Sequence, residues 1–462
     1  MTEKAAQTFF QGLQGKRIAV CGIGNNNTPV VKQLLSYGVQ VYACDRRTRE
    51  ELTEEVASSL EAAGAVLRLG DTYLEGLQEM DMVLRTPGMK PYLPAFEAAR
   101  EQGVPVTSEM ELFFDLCPAP IYAVTGSDGK TTTTSIVAGL LKAAGKTVHL
   151  GGNIGRPLLP EITSVKPTDV VVVELSSFQL TQMNKRPHVA VVTNIAPNHL
   201  DWHTDMEEYV EAKRNLIAFQ TAGDRTVLNA DNAYTAAFAE TAPGKVMRFS
   251  RQTTPENGAY LRQDGMLCMR QNGEETPVVA KEEIRIPGVH NVENYLAAIC
   301  AVWGEVEPAV IRSFAATFGG VPHRCELVRT LNGVRYYNDS IGSSPSRTIA
   351  GLKAFDRKVI LLAGGKDKNV PYTPLGEVAK DTVKLAILMG PTAEKIEAAI
   401  REYSDLPILR VSGMEEAVAT AYREAKEGDI VFLSPASTSF DRYRNFEERG
   451  EHFRREVARL EE

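Results

Sequence analysis

The chain has no excess of positive charge and no long hydrophobic run. Its 462 residues include 51 Lys and Arg against 59 Asp and Glu, which gives a formal net charge of −8 at pH 7. Without a basic surplus, the composition predicts no nucleic-acid partner. Charges, glycines or prolines interrupt every apolar run before the roughly 18 residues that a membrane-spanning helix needs. The start, MTEKAAQTFFQGLQGKR, also lacks the layout of a secretion signal, so we expect a cytoplasmic protein without a membrane partner.

Cysteines are few and scattered. The six thiols, at positions 21, 44, 117, 268, 300 and 325, form no CxxC pair. This spacing predicts neither a zinc knuckle nor a disulfide framework. We expect most of these residues to be small buried hydrophobic side chains.

What the chain does contain is ordinary globular material, with 43% hydrophobic and 24% charged residues. At roughly 150 residues per domain, its length predicts about three domains. Strand-like and helix-like segments alternate on either side of two candidate linkers, Cys117-Pro118-Ala119-Pro120 and Gly319-Gly320-Val321-Pro322. We therefore predict an α/β protein with domains at residues 1–117, 118–320 and 321–462, and short β-like runs within 223–288.

The strongest local motif is a glycine-rich loop between an apolar strand and a helix. It reads Gly126-Ser127-Asp128-Gly129-Lys130-Thr131. Backbone N–H groups of such a loop turn towards a phosphate, the lysine supplies a full positive charge, and the threonine hydroxyl reaches Mg²⁺. The pattern favours a nucleotide site over the alternative, an ordinary turn with a solvated lysine, although Val124 stands where the full motif has glycine.

Two further candidates follow strands of the same block. Glu174 ends the run Val170 to Val173, so its carboxylate is expected at the carboxyl end of a buried strand, where ligands of open α/β sheets bind. His199 follows the next strand. The alternatives are a surface glutamate and a loop histidine that only makes hydrogen bonds, since magnesium prefers oxygen ligands.

The first block carries a partial dinucleotide fingerprint. Gly22-Ile23-Gly24 follows a strand, and Asp45 stands about 20 residues further on, but Asn27 replaces the third glycine. A nicotinamide-dependent dehydrogenase is therefore the weaker alternative, and the turn remains a candidate for the phosphates of another nucleotide.

Together these segments resemble one family over almost the whole chain, the Mur ligases, which are ATP-dependent amino-acid-adding enzymes of peptidoglycan assembly. The motifs in the middle block are TGSDGKTTTT (125–134), GGNIGRPLL (151–159), VVELSSFQL (172–180), NHLDWH (198–203) and HNVENYLAA (290–298). In the last block, VPHRCE (321–326), YNDS (337–340) and LSPASTSFDRYRNFEERG (433–450) look like the D-glutamate-adding members.

The resemblance implies a Rossmann-like N-terminal domain for the UDP substrate, a central P-loop ATPase-like domain with a mixed or parallel sheet, and a Rossmann-like C-terminal domain for the amino acid. It implies a monomer that uses ATP and two Mg²⁺ ions to join D-glutamate to UDP-N-acetylmuramoyl-L-alanine through an acyl phosphate. The alternatives are a ligase for a different amino acid and a nucleotide-binding regulator without ligase activity.

The resemblance also assigns roles residue by residue. ATP and metal would be held by Gly126, Ser127, Asp128, Gly129, Lys130, Thr131, Glu174, His199, Asn291, Asn294, Arg324 and Asp339. Substrates would be bound by Asp45, Arg46 or Arg47, Asn153, Ser343, Lys368, Ser439, Asn445 and Phe446. Lys213 matches a lysine that the family carries as a carbamate, which binds the second ion. Sequence alone favours the alternative for Lys213, a solvated lysine on a helix among glutamates.

Two positions depart from the family pattern. Ile341 follows Asn338-Asp339-Ser340 where the family commonly has a lysine, and we hypothesise that Arg347 or Lys366 supplies the missing charge. The turn GIGNNN (22–27) also differs from the usual Gly-x-Gly-x-Ser/Thr-Gly, which leaves the contacts to uracil and diphosphate open there.

Overall fold

The computed structural model describes residues 5–24, 27–52, 54–200, 202–368 and 370–461. By its internal contacts the chain forms two compact units. The first unit comprises Met1–Lys281 with Glu293–Phe314, and the second comprises Glu282–Val292 with Ala315–Glu462. Three β-sheets lie in the described part of the chain, and helices alternate with their strands, as predicted for an α/β protein.

The first sheet is parallel throughout, in the order β3-β2-β1-β4-β5. Its strands are β1 (Arg17–Cys21), β2 (Gln40–Asp45), β3 (Val66–Leu69), β4 (Met82–Arg85) and β5 (Val106–Thr107). The helices of this segment are α1 (Ala5–Gly12), α2 (Asn27–Ser36), α3 (Arg49–Leu52), α4 (Glu54–Ala62), α5 (Pro94–Glu101) and α6 (Glu109–Leu116). Burial on both faces explains why β1 is continuously apolar after its first residue.

The second sheet is mixed and has nine described strands, in the order β14-β13-β12-β11-β10-β9-β6-β8-β7. The strands from β7 to β12 pair in parallel, whereas the last three pair antiparallel. The strands are β6 (Ile121–Thr125), β7 (Val148–Gly152), β8 (Val170–Glu174), β9 (Val189–Val192), β10 (Arg225–Asn229), β11 (Lys245–Ser250), β12 (Gly258–Leu261), β13 (Met266–Gln271) and β14 (Glu274–Ala280). The helices are α7 (Lys130–Ala143), α8 (Ser177–Leu180), α9 (Met206–Ala218), α10 (Ala233–Phe238), α11 (Val289–Val302) and α12 (Pro308–Thr317).

The third sheet lies in the second unit, in the order β15-β16-β20-β17-β18-β19. Only the β15–β16 pair is antiparallel among its described pairings. The strands are β15 (Glu326–Leu331), β16 (Val334–Asn338), β17 (Val359–Gly364), β18 (Val383–Met389), β19 (Ile408–Val411) and β20 (Ile430–Leu433). The helices are α13 (Pro345–Leu352), α14 (Thr373–Thr382), α15 (Ala393–Arg401), α16 (Met414–Glu424) and α17 (Phe446–Ala458). Short 3₁₀ turns occur at Leu77–Glu79, Leu159–Ser164 and Lys281–Glu283.

The first and second sheets share one hydrophobic core. Leu34 of α2, Phe113 of α6 and Leu159 of the middle segment are all buried in it. Gln33 also donates a hydrogen bond from Nε2 to the Leu159 carbonyl oxygen at 3.1 Å. This packing explains why both sheets fall in one compact unit, and the boundary at residue 117 stays a prediction.

Most sequence-based assignments of elements agree with the structure to within a few residues. The predicted strand and helix flank the glycine-rich motif, and α7 begins at Lys130, within the predicted loop. Four of the six cysteines are buried, and Cys117 and Cys325 are partly exposed. Among the described residues, we find no helix with the length and apolar character required to span a bilayer.

Candidate active site

The glycine-rich loop joins β6 to α7, as its sequence predicts. Gly126 has φ +150°, and a Cβ there would lie 1.8 Å from Thr193 Oγ1. Gly129 has φ +77°, and its Cβ would lie 2.4 Å from Asn294 Oδ1. Both positions therefore require glycine, because an L side chain would be strained in conformation and would overlap a neighbour.

Lys130, the first residue of α7, folds back over this loop. Its Nζ donates to the carbonyl oxygens of Gly126, at 3.0 Å, and Ser127, at 2.9 Å. The ammonium group is thus held at the N-terminal end of α7, where the helix dipole adds partial positive charge. An anion at the loop would meet both charges.

Two side chains directly after β9 and one from α9 hold the loop in shape. Thr193 Oγ1 donates to the Asp128 carbonyl oxygen at 2.6 Å, and Asn194 Oδ1 accepts from the Asp128 N–H at 2.9 Å. Ser127 Oγ lies 2.8 Å from the Tyr209 hydroxyl. Sequence reasoning missed Thr193, Asn194 and Tyr209. For Thr193 and Asn194, their position as polar residues directly after a buried strand was a usable signal.

Glu174 is the last residue of β8 and is only 1% exposed. Its Oε1 accepts from Asn153 Nδ2 at 2.8 Å. Its Oε2 is buried and has no hydrogen-bond partner among the described residues. A buried carboxylate oxygen in this condition is suited to a cation, because an uncompensated buried charge is costly. The alternative of a surface glutamate is wrong.

Lys213 on α9 lies beside Lys130. Its side chain is 1% exposed, and its Nζ donates to the same Gly126 carbonyl oxygen at 2.8 Å. Burial, followed by repulsion from Lys130, lowers the pKa of Lys213 well below its usual value, although Asp128 and Glu174 oppose the shift. The expectation of a solvated lysine that sequence alone favoured is therefore wrong, and its amine is unusually ready to be neutral.

His199 adopts a left-handed backbone conformation, with φ +55°. Its ring contacts Phe178 edge-on, with centroids 4.9 Å apart, and Phe178 stacks on the buried ring of His203. His203 Nε2 lies 2.9 Å from Ser177 Oγ. A row of aromatic rings thus fixes the segment that carries His199 against α8, just beyond Glu174.

Thr131, the remaining candidate at the loop, lies in the first turn of α7, and its side chain is partly exposed.

The two asparagines of α11 fall in different units. Asn294 belongs to the first unit, and its Oδ1 accepts from Thr133 Oγ1 at 3.1 Å, beside Gly129. Asn291 belongs to the second unit, where its Nδ2 donates to the Pro287 carbonyl oxygen at 2.5 Å. Only Asn294 is therefore located at the loop by contacts within one unit.

The turn after β1 is closed by Asp45. Its Oδ2 accepts from the Ile23 N–H at 2.7 Å, and its Oδ1 accepts from the Arg47 N–H at 3.0 Å. The Arg47 guanidinium also pairs with the carboxylate at 2.9 Å. The side chains of Arg46 and Arg47 are both exposed. Burial raises the pKa of Asp45, but these hydrogen bonds outweigh it and leave the pKa below its usual value. Asn25 and Asn26 of the unusual GIGNNN turn lie outside the described residues.

A second group of predicted residues surrounds Asp339 in the second unit. Asp339 follows β16 and is 5% exposed. Its carboxylate accepts from Ser434 Oγ at 2.8 Å and from the Cys325 N–H at 3.2 Å. Burial raises the pKa of Asp339 to about 6, against the opposing effects of these bonds and of Arg324 and Arg347.

Arg449, which sequence reasoning missed, joins the loops around this group by hydrogen bonds. It is 2% exposed and donates to Ser340, Ser343 Oγ and the Ser437 carbonyl oxygen at 2.8–3.2 Å. Ser340 Oγ in turn donates to the Phe446 carbonyl oxygen at 2.8 Å. The segments of Ser343 and Phe446 thus lie close together, and their binding of D-glutamate stays a prediction. A charged residue on the buried face of α17 was the available signal.

The remaining predicted residues of the amino-acid site lie on neighbouring loops. Lys366 pairs with Thr438 through two backbone hydrogen bonds, which places the segment of Lys368 beside that of Ser439. Ser439 is buried and Lys368 is exposed. Asn445 caps α17, since its Oδ1 accepts from the Glu448 N–H at 2.8 Å. Its side chain therefore has a structural role that the sequence assignment did not include.

Comparison with known proteins finds three family models along the chain. They are a Mur ligase MurD-like N-terminal domain at residues 16–108, a Mur ligase middle domain at 124–302, and a Mur ligase glutamate ligase domain at 323–437. Each model covers one of the three sheets. Together they cover more than half of the chain.

Curated relatives match over the full length. UDP-N-acetylmuramoylalanine–D-glutamate ligase of Acetivibrio thermocellus is 51% identical, with 98% of each chain covered. The protein of the same name from Ruminiclostridium cellulolyticum is 47% identical, with 100% of each chain covered. Among solved structures, UDP-N-acetylmuramate-alanine ligase MurC of Thermotoga maritima aligns with a TM-score of 0.57 at 18% identity, over 96% of this chain and 99% of that one. MurF ligase of the same organism, solved with ADP, has a TM-score of 0.55 at 18% identity, over 97% and 96%. These two likenesses concern the fold.

Proposed function

This chain belongs to the Mur ligase family, and we propose that it joins D-glutamate to UDP-N-acetylmuramoyl-L-alanine with ATP, in the cytoplasm and as a monomer. The observation that carries the proposal is the convergence of Lys130 and Lys213 on Gly126, next to a buried Glu174 whose Oε2 has no hydrogen-bond partner in the described part of the chain. This arrangement concentrates charge where a nucleotide's terminal phosphates need it. The full-length relatives named as D-glutamate ligases support the choice of amino acid.

The chemistry requires activation, because a carboxylate is a poor acyl donor. In the proposed reaction a carboxylate oxygen of the L-alanyl group attacks the γ-phosphorus of ATP and ADP leaves, which gives an acyl phosphate. The D-glutamate amine, after loss of a proton, attacks the carbonyl carbon, and phosphate leaves as the amide forms. The role of the chain is to position the groups and neutralise charge. Lys130 and the N-terminal end of α7 carry that role in the first unit.

The residues around Glu174 fit a magnesium ion. Glu174 offers its buried Oε2, which accepts no hydrogen bond from the described residues, and the hydroxyl of Thr131 lies at the start of α7. When bound, Mg²⁺ would offset the negative charge of the phosphates. We assign Thr131, Glu174 and His199 to metal sites and Asn153, which orients Glu174, to the muramoyl substrate.

Lys213 fits a second, modified role. A neutral amine adds to CO₂ and releases a proton, and the product is a carbamate anion. Burial and repulsion from Lys130 lower the pKa of Lys213, so both favour the neutral amine. We propose that Lys213 is carbamylated and supplies an oxygen to a second Mg²⁺ ion.

The other proposed roles follow the family. Adenine is assigned to Asn291 and Asn294, ATP also to Arg324 and Asp339, and the UDP group to Asp45 with Arg46. D-Glutamate is assigned to Ser343, Lys368, Ser439, Asn445 and Phe446. Because Asn445 already accepts the Glu448 N–H, its remaining donor, Nδ2, is the group available to a carboxylate.

The test is phosphate release from ATP, measured with UDP-N-acetylmuramoyl-L-alanine and a series of D- and L-amino acids. We expect release that requires both the UDP substrate and D-glutamate. Dependence on another amino acid would identify a different ligase. Nucleotide binding without any amino-acid-dependent release would favour a regulator, and a nicotinamide-dependent signal would favour a dehydrogenase.

Lys130→Ala is the matching variant, with Lys142→Ala on the exposed face of the same helix as control. Removal of one preorganised charged contact costs about 10²-fold or more in rate. We expect Lys130→Ala to retain its far-ultraviolet circular dichroism and lose turnover, while the control keeps both. Retained turnover in a folded Lys130→Ala protein would contradict the site assignment.

A further inference from the structure

Helix α13 packs directly against the buried carboxylate of Asp339. Ser434 Oγ bridges the two, since it contacts Asp339 Oδ2 and Thr348 Oγ1, each at 2.8 Å. A Cβ at Gly351, on the next turn of α13, would lie only 3.4 Å from Asp339 Oδ2. The first turn of α13, which carries Arg347, is therefore fixed close to this carboxylate.

Two arginines face this one carboxylate. Both Arg324 and Arg347 lie near enough to favour its ionised form. Although the Arg347 side chain is exposed, desolvation beside the protein, followed by repulsion from Arg324, lowers its pKa, while Asp339 opposes that shift. Arg324 Nε is buried and makes no hydrogen bond within the described ranges of the chain. Two cations against one carboxylate leave a positive surplus, which suits an anionic ligand.

The turn between Asp339 and α13 contains no basic residue of its own. Its sequence is Ser340-Ile341-Gly342-Ser343-Ser344, so Arg347 is the first cation after Asp339. Ser344, the N-cap of α13, makes no side-chain capping hydrogen bond, and Pro345 follows it. The N-terminal N–H groups of α13 therefore add to the positive field from Arg347.

We infer that Arg347 binds a phosphate group of ATP together with Arg324, and replaces the basic residue that the family resemblance places at Ile341. The inference rests on the proposed ligase function. The side chains of Arg347 and of Lys366, the other candidate, are both exposed. Lys366 lies on the loop after β17, where its backbone pairs with Thr438, whereas Arg347 lies on α13, the helix that packs against Asp339 through Ser434. A guanidinium suits this position because it forms paired hydrogen bonds with phosphate oxygens.

The experiment moves the charge rather than only removing it. Four variants are compared with the unmodified chain by steady-state kinetics: Arg347→Ala, Lys366→Ala, the double variant Ile341→Lys with Arg347→Ala, and Arg357→Ala. Arg357 is an exposed arginine that pairs with Asp356 in the same unit, so it is the matched control. Kinetic constants are measured separately for ATP and for D-glutamate.

We expect Arg347→Ala to lower kcat/KM for ATP by about 10²-fold, as for a lost preorganised contact to phosphate. The Ile341→Lys change should recover about tenfold of that loss, since it returns a cation to the same turn. Lys366→Ala and Arg357→Ala should stay within about twofold of the unmodified chain. Recovery by a relocated lysine distinguishes a charge contact from a purely structural role.

Three results would overturn the inference: an unchanged kcat/KM for ATP in Arg347→Ala, a larger loss in Lys366→Ala, or a loss confined to the KM for D-glutamate. If Arg347→Ala is unstable by circular dichroism, Arg347→Gln keeps most of the side chain and gives the same comparison. Failure of the proposed function is separate, because the unmodified chain would then show no D-glutamate-dependent phosphate release.

Discussion

Gly126→Ala is the substitution whose cost follows most directly from the geometry. The new methyl group would be placed 1.8 Å from Thr193 Oγ1 and 3.2 Å from the Asn194 nitrogen. The backbone would also have to keep φ +150°, a region that is essentially reserved for glycine. Both effects act on the loop that we assign to the phosphates of ATP.

The two effects differ in origin and can be separated. A residue forced into such a backbone conformation costs about 1–3 kcal/mol, and overpacking of a filled site costs about 1–3 kcal/mol more. Gly126→Ala should therefore lower the free energy of unfolding by about 2–6 kcal/mol. Thr193→Ala should cost about 1 kcal/mol, because it removes one hydroxyl proton that the carbonyl oxygens of Asp128 and Thr125 share, and both oxygens keep other donors.

The double variant measures the overlap. Because Thr193→Ala removes the oxygen at 1.8 Å, the double variant should be more stable than the sum of the single changes predicts, by about 1–3 kcal/mol. The assay is urea unfolding followed by tryptophan fluorescence. Both tryptophans, Trp202 and Trp303, lie in the first unit with the loop. Strict additivity, or a Gly126→Ala protein as stable as the unmodified chain, would refute this reasoning.

Three more predictions concern single side chains. Lys213→Met should raise stability at neutral pH and abolish ligation. Because the pKa of Lys213 is lowered in the folded chain, the unfolded chain binds more protons than the folded one at neutral pH. The stability gain should therefore shrink as pH rises towards the usual lysine pKa, which urea unfolding at neutral and alkaline pH will measure. Asp45→Asn should lower the free energy of unfolding by about 1–2 kcal/mol, because it loses the charge-assisted hydrogen bonds from Arg47. Since the pKa of Asp45 is lowered in the folded chain, this difference in stability is present at neutral pH. It should disappear as pH falls through the folded pKa in an acid titration. Asn445→Ala should cost about 1 kcal/mol as a lost cap of α17, whereas Asn445→Asp keeps the cap, so thermal unfolding followed by circular dichroism should separate the two variants.

The local motifs were predictable because each depends on neighbours in sequence. The strand, loop and helix around Lys130 follow from an apolar run, two glycines and a helical pattern, and the structure places them as predicted. Glu174 was predictable for the same reason, since the end of a buried parallel strand is set by Val170–Val173. For such residues the chain direction already fixes the edge of the sheet on which they emerge.

Residues whose environment is built by distant segments were not predictable in this way. Lys213 has glutamates for sequence neighbours and looks solvated, yet Gly126, 87 residues away, accepts its hydrogen bond inside the protein. Arg449 likewise contacts Ser340, 109 residues away. Which of Arg46 and Arg47 contacts Asp45 was not predictable either, because it depends on the conformation of the turn after β2, which brings Arg47 onto Asp45.

The pairing of Lys130 and Lys213 at Gly126 favours the neutral form of Lys213. Lys130 and Lys213 donate to one carbonyl oxygen, and two full charges at such a distance in a buried site would repel each other strongly. Burial, followed by this repulsion, lowers the pKa of Lys213 well below its usual value. The same packing that forces Lys213 towards neutrality prepares its amine for reaction with CO₂, which would exchange the repulsion for attraction between a carbamate and Lys130. The burial of Lys213 is thus unfavourable for folding in its charged form and favourable for the chemistry that we propose.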